Sequence, residues 1–157
     1  MGQTKEKEAE GSQAMIGILI ALISGALMSI QGVFNTQVTE SSSVWVSASW
    51  VQFSALLTCL AVWAVKERTN LLGVFQVDHK YMLLGGVIGA FITFTVIQSM
   101  SSLGPAKSVM LIVIAQLLVA YLIELTGIFG VEKAVFEWRK ALGMAVAIVG
   151  VILFKWE

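Results

Sequence analysis

Long apolar stretches separated by short polar connections dominate this sequence, and each stretch is long enough to form a transmembrane helix. They cover about residues 14–38, 44–65, 81–102, 106–125 and 138–156. A bilayer core of ~30 Å needs about 20 helical residues, and lipid cannot satisfy the backbone of an open strand or loop. The pattern therefore predicts an all-α protein with five transmembrane helices in one domain (residues 14–157). We expect the polar tail before it (residues 1–13) to be disordered.

Charged side chains are almost absent from these stretches. Of the 20 acidic and basic residues, five lie within a stretch, and only Glu124 lies away from an edge. Lys107 is at the start of the fourth stretch, and Arg139, Lys140 and Lys155 are at the ends of the fifth. A charge buried in hydrocarbon costs several kcal/mol unless it is paired or hydrated. The chain is 57% hydrophobic and 13% charged, whereas globular domains are about 45–50% apolar and about 25% charged. This composition excludes an ordinary soluble domain, and the zero net charge gives no general attraction to nucleic acid.

The connections predict how the helices are arranged. The links at residues 39–43 and 103–105 are so short that they force helices one and two, and helices three and four, into antiparallel hairpins. Two longer, charged links lie on the same side of the membrane as the N-terminus. Eight basic residues fall on that side and two on the other, which predicts a cytoplasmic N-terminus and an external C-terminus. The eight are Lys5, Lys7, Lys66, Arg68, Lys80, Lys133, Arg139 and Lys140, and the two are Lys107 and Lys155.

Carboxamide side chains within the predicted helices are the candidate substrate-binding groups. Gln31 and Asn35 lie one turn apart on one face of helix one, and Gln52, Gln98 and Gln116 come from helices two, three and four. Four helices that each offer a carboxamide are typical of a shared polar cavity, with helix five as a scaffold. The alternative for each residue is an interhelical hydrogen bond of ~0.6–2 kcal/mol.

Glu124 is the one carboxylate inside a predicted span. Burial favours the neutral form of a carboxyl group, so Glu124 is a candidate proton carrier. Alternatively, it lies near the cytoplasmic end of helix four and reaches interfacial water. The single cysteine, Cys59, cannot form an intrachain disulfide, and His79 has no Cys or His near it in the sequence. Since no nucleophile–base pair, phosphate loop or metal-ligand spacing occurs either, we expect neither an enzyme nor a bound metal or cofactor.

Small residues recur at helical spacing in several of the stretches. Gly85 and Gly89 share a face of helix three, and Gly143 and Gly150 belong to a similar stripe on helix five. Such stripes let helix backbones approach closely in lipid. They indicate either packing within the chain or a subunit interface, and helix five is the best candidate for the interface because it lies outside the two hairpins.

Several short motifs follow one another along the chain in a recognisable order. They are Gln31 with Asn35, Gly85-Gly86 with Gly89-Ala90, Leu103–Ala106, Ala115–Leu117, Ile123–Gly130, Trp138–Gly143 and Gly150–Leu153. In these motifs the chain resembles the YdcZ-type family, the five-helix, half-size members of the drug/metabolite transporter superfamily. Two positions depart from the family pattern, because Ala115 stands where Gly is expected before Gln116, and Glu124 stands where Asp is expected.

The resemblance implies an inner-membrane exporter in which two half-size units form an inverted pair around a central cavity. The hypothesis is a transporter subunit that moves a small polar or cationic metabolite or drug by alternating access. The charge bias opposes inversion of a second copy, so we expect the inverted partner to be a homologue with the opposite bias. The alternative is a non-transporting subunit that binds or stabilises a larger membrane complex.

Overall fold

Five α-helices, joined by turns and short 3-10 helices, make up the described part of the protein. The structure is a computed structural model that describes the backbone of residues 2–155 and the side chains of residues 11–154. Within these residues there is no β-strand, so the all-α prediction is confirmed. The helices are α1 (Gly2–Glu40), α2 (Val44–Lys66), α3 (Gly85–Leu103), α4 (Pro105–Thr126) and α5 (Trp138–Lys155).

Four helical stretches in the described residues are long and apolar enough to cross a bilayer. The fifth helix, α5, has 18 residues, which corresponds to about 27 Å of helix. It carries Arg139 and Lys140 at its start and Lys155 at its end, so its crossing remains a prediction. The four stretches are Gly11–Glu40, Val44–Lys66, Lys80–Leu103 and Pro105–Thr126.

The helix boundaries differ from the predicted ones mainly at two places. The sequence predicts a disordered tail before residue 14, but the backbone of α1 is helical from Gly2. The helix formers Lys, Glu, Gln and Ala make up most of residues 3–10, which favours this longer helix. The third stretch begins as a 3-10 helix, Lys80–Leu84, before α3 starts. The long link before it also holds a 3-10 helix, Leu71–Gln76. The predicted end of helix five at Trp156, like Met1 and Glu157, lies outside the described residues.

The chain divides into two units, residues 1–98 and residues 99–157. In the first unit, α1 and α2 form the predicted antiparallel hairpin. Ser43 caps α2, since its side chain accepts a hydrogen bond from the backbone N–H of Val46. The small residues Ser47 and Ala48, which are fully or nearly fully buried, lie where the two helices meet. The first hairpin is therefore closed by small side chains directly after the turn.

α3 runs antiparallel to α2 in the same unit. The Trp45 ring stacks on Phe94 with ring centroids 4.7 Å apart and meets the edge of Phe91 at 6.4 Å. Further along α2, the Gln52 side-chain nitrogen lies 3.6 Å from the position that a Cβ on Gly89 would occupy. The small residue therefore leaves room for an amide side chain beside the α3 backbone. The other stripe glycines Gly85, Gly86, Gly143 and Gly150 have open space around them, so the close backbone approach stays a prediction.

In the second unit, α4 and α5 pack antiparallel and are joined by residues 127–137. α4 begins with Pro105 after Gly104, and it ends at Gly127, which has left-handed backbone angles (φ 69°). The backbone N–H of Ala134 then donates to the carbonyl of Glu124 at 2.8 Å, which satisfies one of the free carbonyls at the helix end. A Cβ on Gly127 would lie only 3.1 Å from the Cβ of Lys133.

Gly127→Ala should therefore destabilise the α4–α5 connection. Both the left-handed conformation and the contact with Lys133 oppose an added methyl group, so we expect a loss of about 1–2 kcal/mol in unfolding free energy. Gly130→Ala is the matched control, because Gly130 has a φ of 81° but open space around it. Unfolding in mixed micelles should show the larger loss for Gly127→Ala. Equal losses in the two variants would show that the contact with Lys133 is unimportant.

A topology reporter tests both the orientation and the crossing of α5. Alkaline phosphatase is active only outside the cytoplasm, so a fusion after Glu157 should be active. A fusion of the same enzyme within residues 131–136, before α5, should be inactive. Activity in neither fusion would mean that α5 does not cross, and activity only in the second would mean that the chain is inverted.

Candidate functional site

A groove of about 700 Å³ lies between α1 and α2 and contains two of the predicted carboxamides. Gln31 and Asn35 line it from α1, and the hydroxyl residues Ser54 and Thr58 line it from α2. Most of the remaining wall is apolar, and it includes the Trp50 side chain. Pockets of about 300–1,000 Å³ with apolar walls and a few polar groups are typical of small-molecule sites. The groove is therefore the candidate substrate site of the first unit.

Helical spacing and one interhelical hydrogen bond together produce this arrangement. Gln31 and Asn35, and likewise Ser54 and Thr58, are four residues apart, so each pair lies on one helix face. The hydroxyl of Ser47 donates to the backbone carbonyl of Asn35 at 2.9 Å and is completely buried. This bond holds the α1 face against α2 at the end of the groove.

Asn35 is the most enclosed polar group of the groove. Its side chain is 8% exposed, and its backbone carbonyl also accepts a hydrogen bond from the Thr39 hydroxyl at 2.8 Å. Among residues 11–154, the structure shows no hydrogen-bond partner for the carboxamides of Asn35 and Gln31. Gln31 is exposed, and neither carboxamide is among the fully buried side-chain atoms that lack a partner, so both groups are accessible to water or to a ligand.

The other three carboxamides lie elsewhere. Gln52 is half-buried and turns toward Gly89 of α3 rather than into the groove. Gln98 is exposed in the second half of α3, and Gln116 is exposed near the middle of α4. Neither lines the groove between α1 and α2. The structure thus brings Gln31 and Asn35 together, and the predicted roles of Gln52, Gln98 and Gln116 in substrate binding remain predictions.

Glu124 belongs to a second cavity, of about 340 Å³, between α4 and α5. The Lys140 ammonium lies 3.6 Å from a carboxylate oxygen of Glu124 and 3.4 Å from one of Glu137. The side chains of Lys140 and Glu124 are 43% and 47% exposed. Glu124 is therefore one member of a charged cluster at the paired ends of two helices, with a basic partner that sequence spacing did not reveal.

Tyr121 contacts the residues of this cluster from one turn earlier in α4. Its ring is buried and packs against Phe136 with centroids 6.3 Å apart, and Lys140 lies 5.9 Å from the ring centre. Its hydroxyl accepts a hydrogen bond from the backbone N–H of Glu137 at 3.1 Å. Because that residue begins the turn into α5, one buried side chain fixes both the start of α5 and the position of the ion pairs.

Comparison with known proteins identifies the family of the chain. The family described as "Putative inner membrane exporter, YdcZ" matches residues 16–153. The chain belongs to the YdcZ family. Curated proteins and solved structures give no match. The YdcZ match spans most of the chain and includes the groove and the Glu124 cluster, so both belong to the family region.

Membership of the YdcZ family places the protein in the inner membrane as a multi-pass protein. It also assigns the protein to a class of membrane transporters rather than to a class of enzymes. The predicted family, membrane location and general transport function are confirmed by this match. The family description names no substrate. Among residues 11–154, the groove and the charged cluster are two cavities that present polar side chains between paired helices.

The sequence alone did not reveal two important residues of this YdcZ protein. Ser47 joins α1 to α2 and Tyr121 joins α4 to the start of α5. A serine directly after a tight helical turn is a weak signal for the first. A tyrosine one turn before Glu124 on the same helix face is a weak signal for the second. In both cases the partner is a backbone group, which leaves no pattern in the sequence.

Removing the Ser47 hydroxyl should loosen the groove. Ser47→Ala deletes the hydrogen bond to the Asn35 carbonyl, and we expect a loss of about 1 kcal/mol in unfolding free energy. Ser49→Ala is the matched control, because Ser49 lies on the same helix with an exposed side chain. Unfolding of both variants in mixed micelles measures the difference. A loss no larger for Ser47→Ala than for Ser49→Ala would contradict this role of the hydroxyl.

Proposed function

We propose that this YdcZ protein is a half-size transporter subunit that exports a small polar or cationic metabolite or drug by alternating access. The groove between α1 and α2 is the substrate-binding part of the subunit. The observation that carries the proposal is the pair of carboxamides, Gln31 and Asn35, which share one groove and have no partner among the described residues. Hydrocarbon does not solvate amides, so a groove of this kind is stable only with water or a ligand inside.

A second subunit completes the path in this proposal. Gln116 lies near the middle of an apolar helix and is exposed, and a carboxamide that faces lipid is unfavourable. A subunit packed on this face of α4 would shield it. Gln52 and Gln98 would line the same path from α2 and α3 if the added subunit encloses them.

The partner proposed is an inverted five-helix homologue with the opposite distribution of basic residues. An odd number of crossings places the two termini on opposite sides, so an inverted second unit would give the complete transporter two-fold symmetry in the membrane plane. A second copy of this chain would have to place eight basic residues outside and two inside. The positive-inside rule opposes that orientation.

Glu124 is the proposed proton-carrying residue, and its contact with Lys140 suggests how protonation would act on the helices. Protonation would neutralise the carboxylate and remove its attraction to the ammonium 3.6 Å away. The link between α4 and α5 at this point would then weaken. Glu137, at 3.4 Å from the same ammonium, would retain Lys140 at the start of α5.

A non-transporting subunit of a larger membrane complex is the second candidate. The observation that favours it is the exposed apolar surface of the helices. In each of the four apolar spans, only about 6% of the residues in the most apolar part are buried within the chain. Such surfaces fit a protein partner as well as they fit lipid. Transport activity separates the two candidates.

Release of metabolites from liposomes tests the transport proposal. Proteoliposomes that contain the protein and its homologue, loaded with a small-metabolite extract of the host cells, should release specific compounds, which mass spectrometry identifies. Asn35→Ala and Gln116→Leu should each slow this release about tenfold or more, since each removes a hydrogen-bonding group from the path. Gln37→Leu is the control, because Gln37 is an exposed carboxamide of α1 outside the groove.

Each outcome decides between the candidates. Wild-type release rates in Asn35→Ala and Gln116→Leu would contradict the assigned path. The absence of any release by the wild-type pair, together with co-purification of an unrelated membrane protein, would favour the non-transporting subunit.

A further inference from the structure

The groove between α1 and α2 contains polar groups but no charged group. Its polar lining consists of the carboxamides of Gln31 and Asn35 and the hydroxyls of Ser54 and Thr58. The sequence has no acidic or basic residue from 11 to 39 or from 41 to 65. The charges next in the chain are Glu40 and Lys66, which are the last residues of α1 and α2.

The two hydroxyl groups of the groove already donate their hydrogens to backbone carbonyls of α2. Ser54 donates to the carbonyl of Val51 at 3.0 Å, and Thr58 donates to the carbonyl of Ser54 at 2.9 Å. Their oxygens can therefore only accept from a ligand. The two carboxamides each supply two N–H donors and one acceptor oxygen. The groove thus offers donors on the α1 side and additional acceptors on the α2 side.

We propose that this groove binds an uncharged molecule with an amide or alcohol head and an apolar body, and that it excludes organic ions of the same shape. The proposal rests on the proposed function and narrows its substrate class, because it removes the cationic alternative. The head would pair with the carboxamides and hydroxyl oxygens, and the body would pack on the apolar wall near Trp50.

The exclusion follows from the cost of burying an unpaired charge. An ammonium or carboxylate that enters the groove loses its hydration and meets no opposite charge there. The Trp50 ring can attract a cation, but a cation–π contact is weaker than the hydration that the ammonium gives up. An amide or alcohol loses less hydration and recovers its hydrogen bonds from the groove.

Three indoles of similar size test this charge preference. Indole-3-acetamide is neutral, tryptamine carries an ammonium and indole-3-acetate carries a carboxylate. Binding is measured by equilibrium dialysis against the full chain in phosphatidylcholine nanodiscs, with empty nanodiscs as the control for partition into lipid. We expect indole-3-acetamide to bind about tenfold or more tightly than either ion.

A single isosteric change should reverse the preference. Gln31→Glu places a carboxylate in the groove at an exposed position, so tryptamine should bind this variant more tightly than indole-3-acetamide. Gln31→Leu should weaken indole-3-acetamide without any gain for tryptamine. Gln37→Glu is the matched control, because it adds the same charge to α1 outside the groove, and it should keep the wild-type order.

The results separate this proposal from the transport proposal. Equal or tighter binding of tryptamine to the wild-type protein would overturn the charge preference. Specific binding of none of the three, as expected for a groove filled by lipid chains, would overturn it too. The predicted order in a protein that releases nothing from liposomes would support the neutral site and contradict transport. Release of organic cations by the wild-type protein, lost in Asn35→Ala, would support transport and contradict the neutral site.

Discussion

Hydrocarbon provides no hydrogen-bonding partner, and the arrangement of polar groups in this protein follows from that constraint. Several hydroxyl groups within the helices are satisfied locally, since Thr36, Thr58 and Thr93 each donate to the carbonyl four residues earlier. A carboxamide has more donors and acceptors than one turn of helix can satisfy. Gln31 and Asn35 therefore depend on a groove that admits water or a ligand, and the candidate site lies where local satisfaction fails.

The two units meet this constraint in different ways. The first unit has no charged residue in residues 11–39 of α1 or residues 44–65 of α2, and Ser47, a small buried hydroxyl, closes their hairpin. The second unit gathers charge at the paired ends of α4 and α5, where Lys140 lies between Glu124 and Glu137. A neutral groove selects by hydrogen bonding and shape, whereas a charged cluster can respond to protonation. The proposed function therefore assigns substrate binding to the first unit and proton binding to the second.

Much of the helical architecture could be predicted, because burial in lipid leaves a strong pattern of apolar residues. The start of α2 after Ser43 and the start of α4 at Pro105 follow from ordinary capping and turn preferences. The pairing of Gln31 with Asn35 followed from helical spacing. The turn of Gln52 toward Gly89 and the contact of Lys140 with Glu124 did not, since each depends on how two helices rotate against each other. Apolar periodicity is too weak to specify that rotation when lipid and protein neighbours are equally apolar.

A neutral substrate would change the energetics that an exporter needs. The membrane potential acts on a transported charge with about 2.3 kcal/mol per 100 mV, and it does no work on a neutral molecule. Export of such a molecule against its gradient therefore requires coupling to the downhill movement of a second species, such as a proton. Apart from Glu40 at the end of α1, Glu124 is the one carboxylate within an apolar span of the described residues, and the Lys140 ammonium lies 3.6 Å from it. With a neutral groove between α1 and α2, the proposal assigns the driving ion to the charged cluster of Glu124, Lys140 and Glu137.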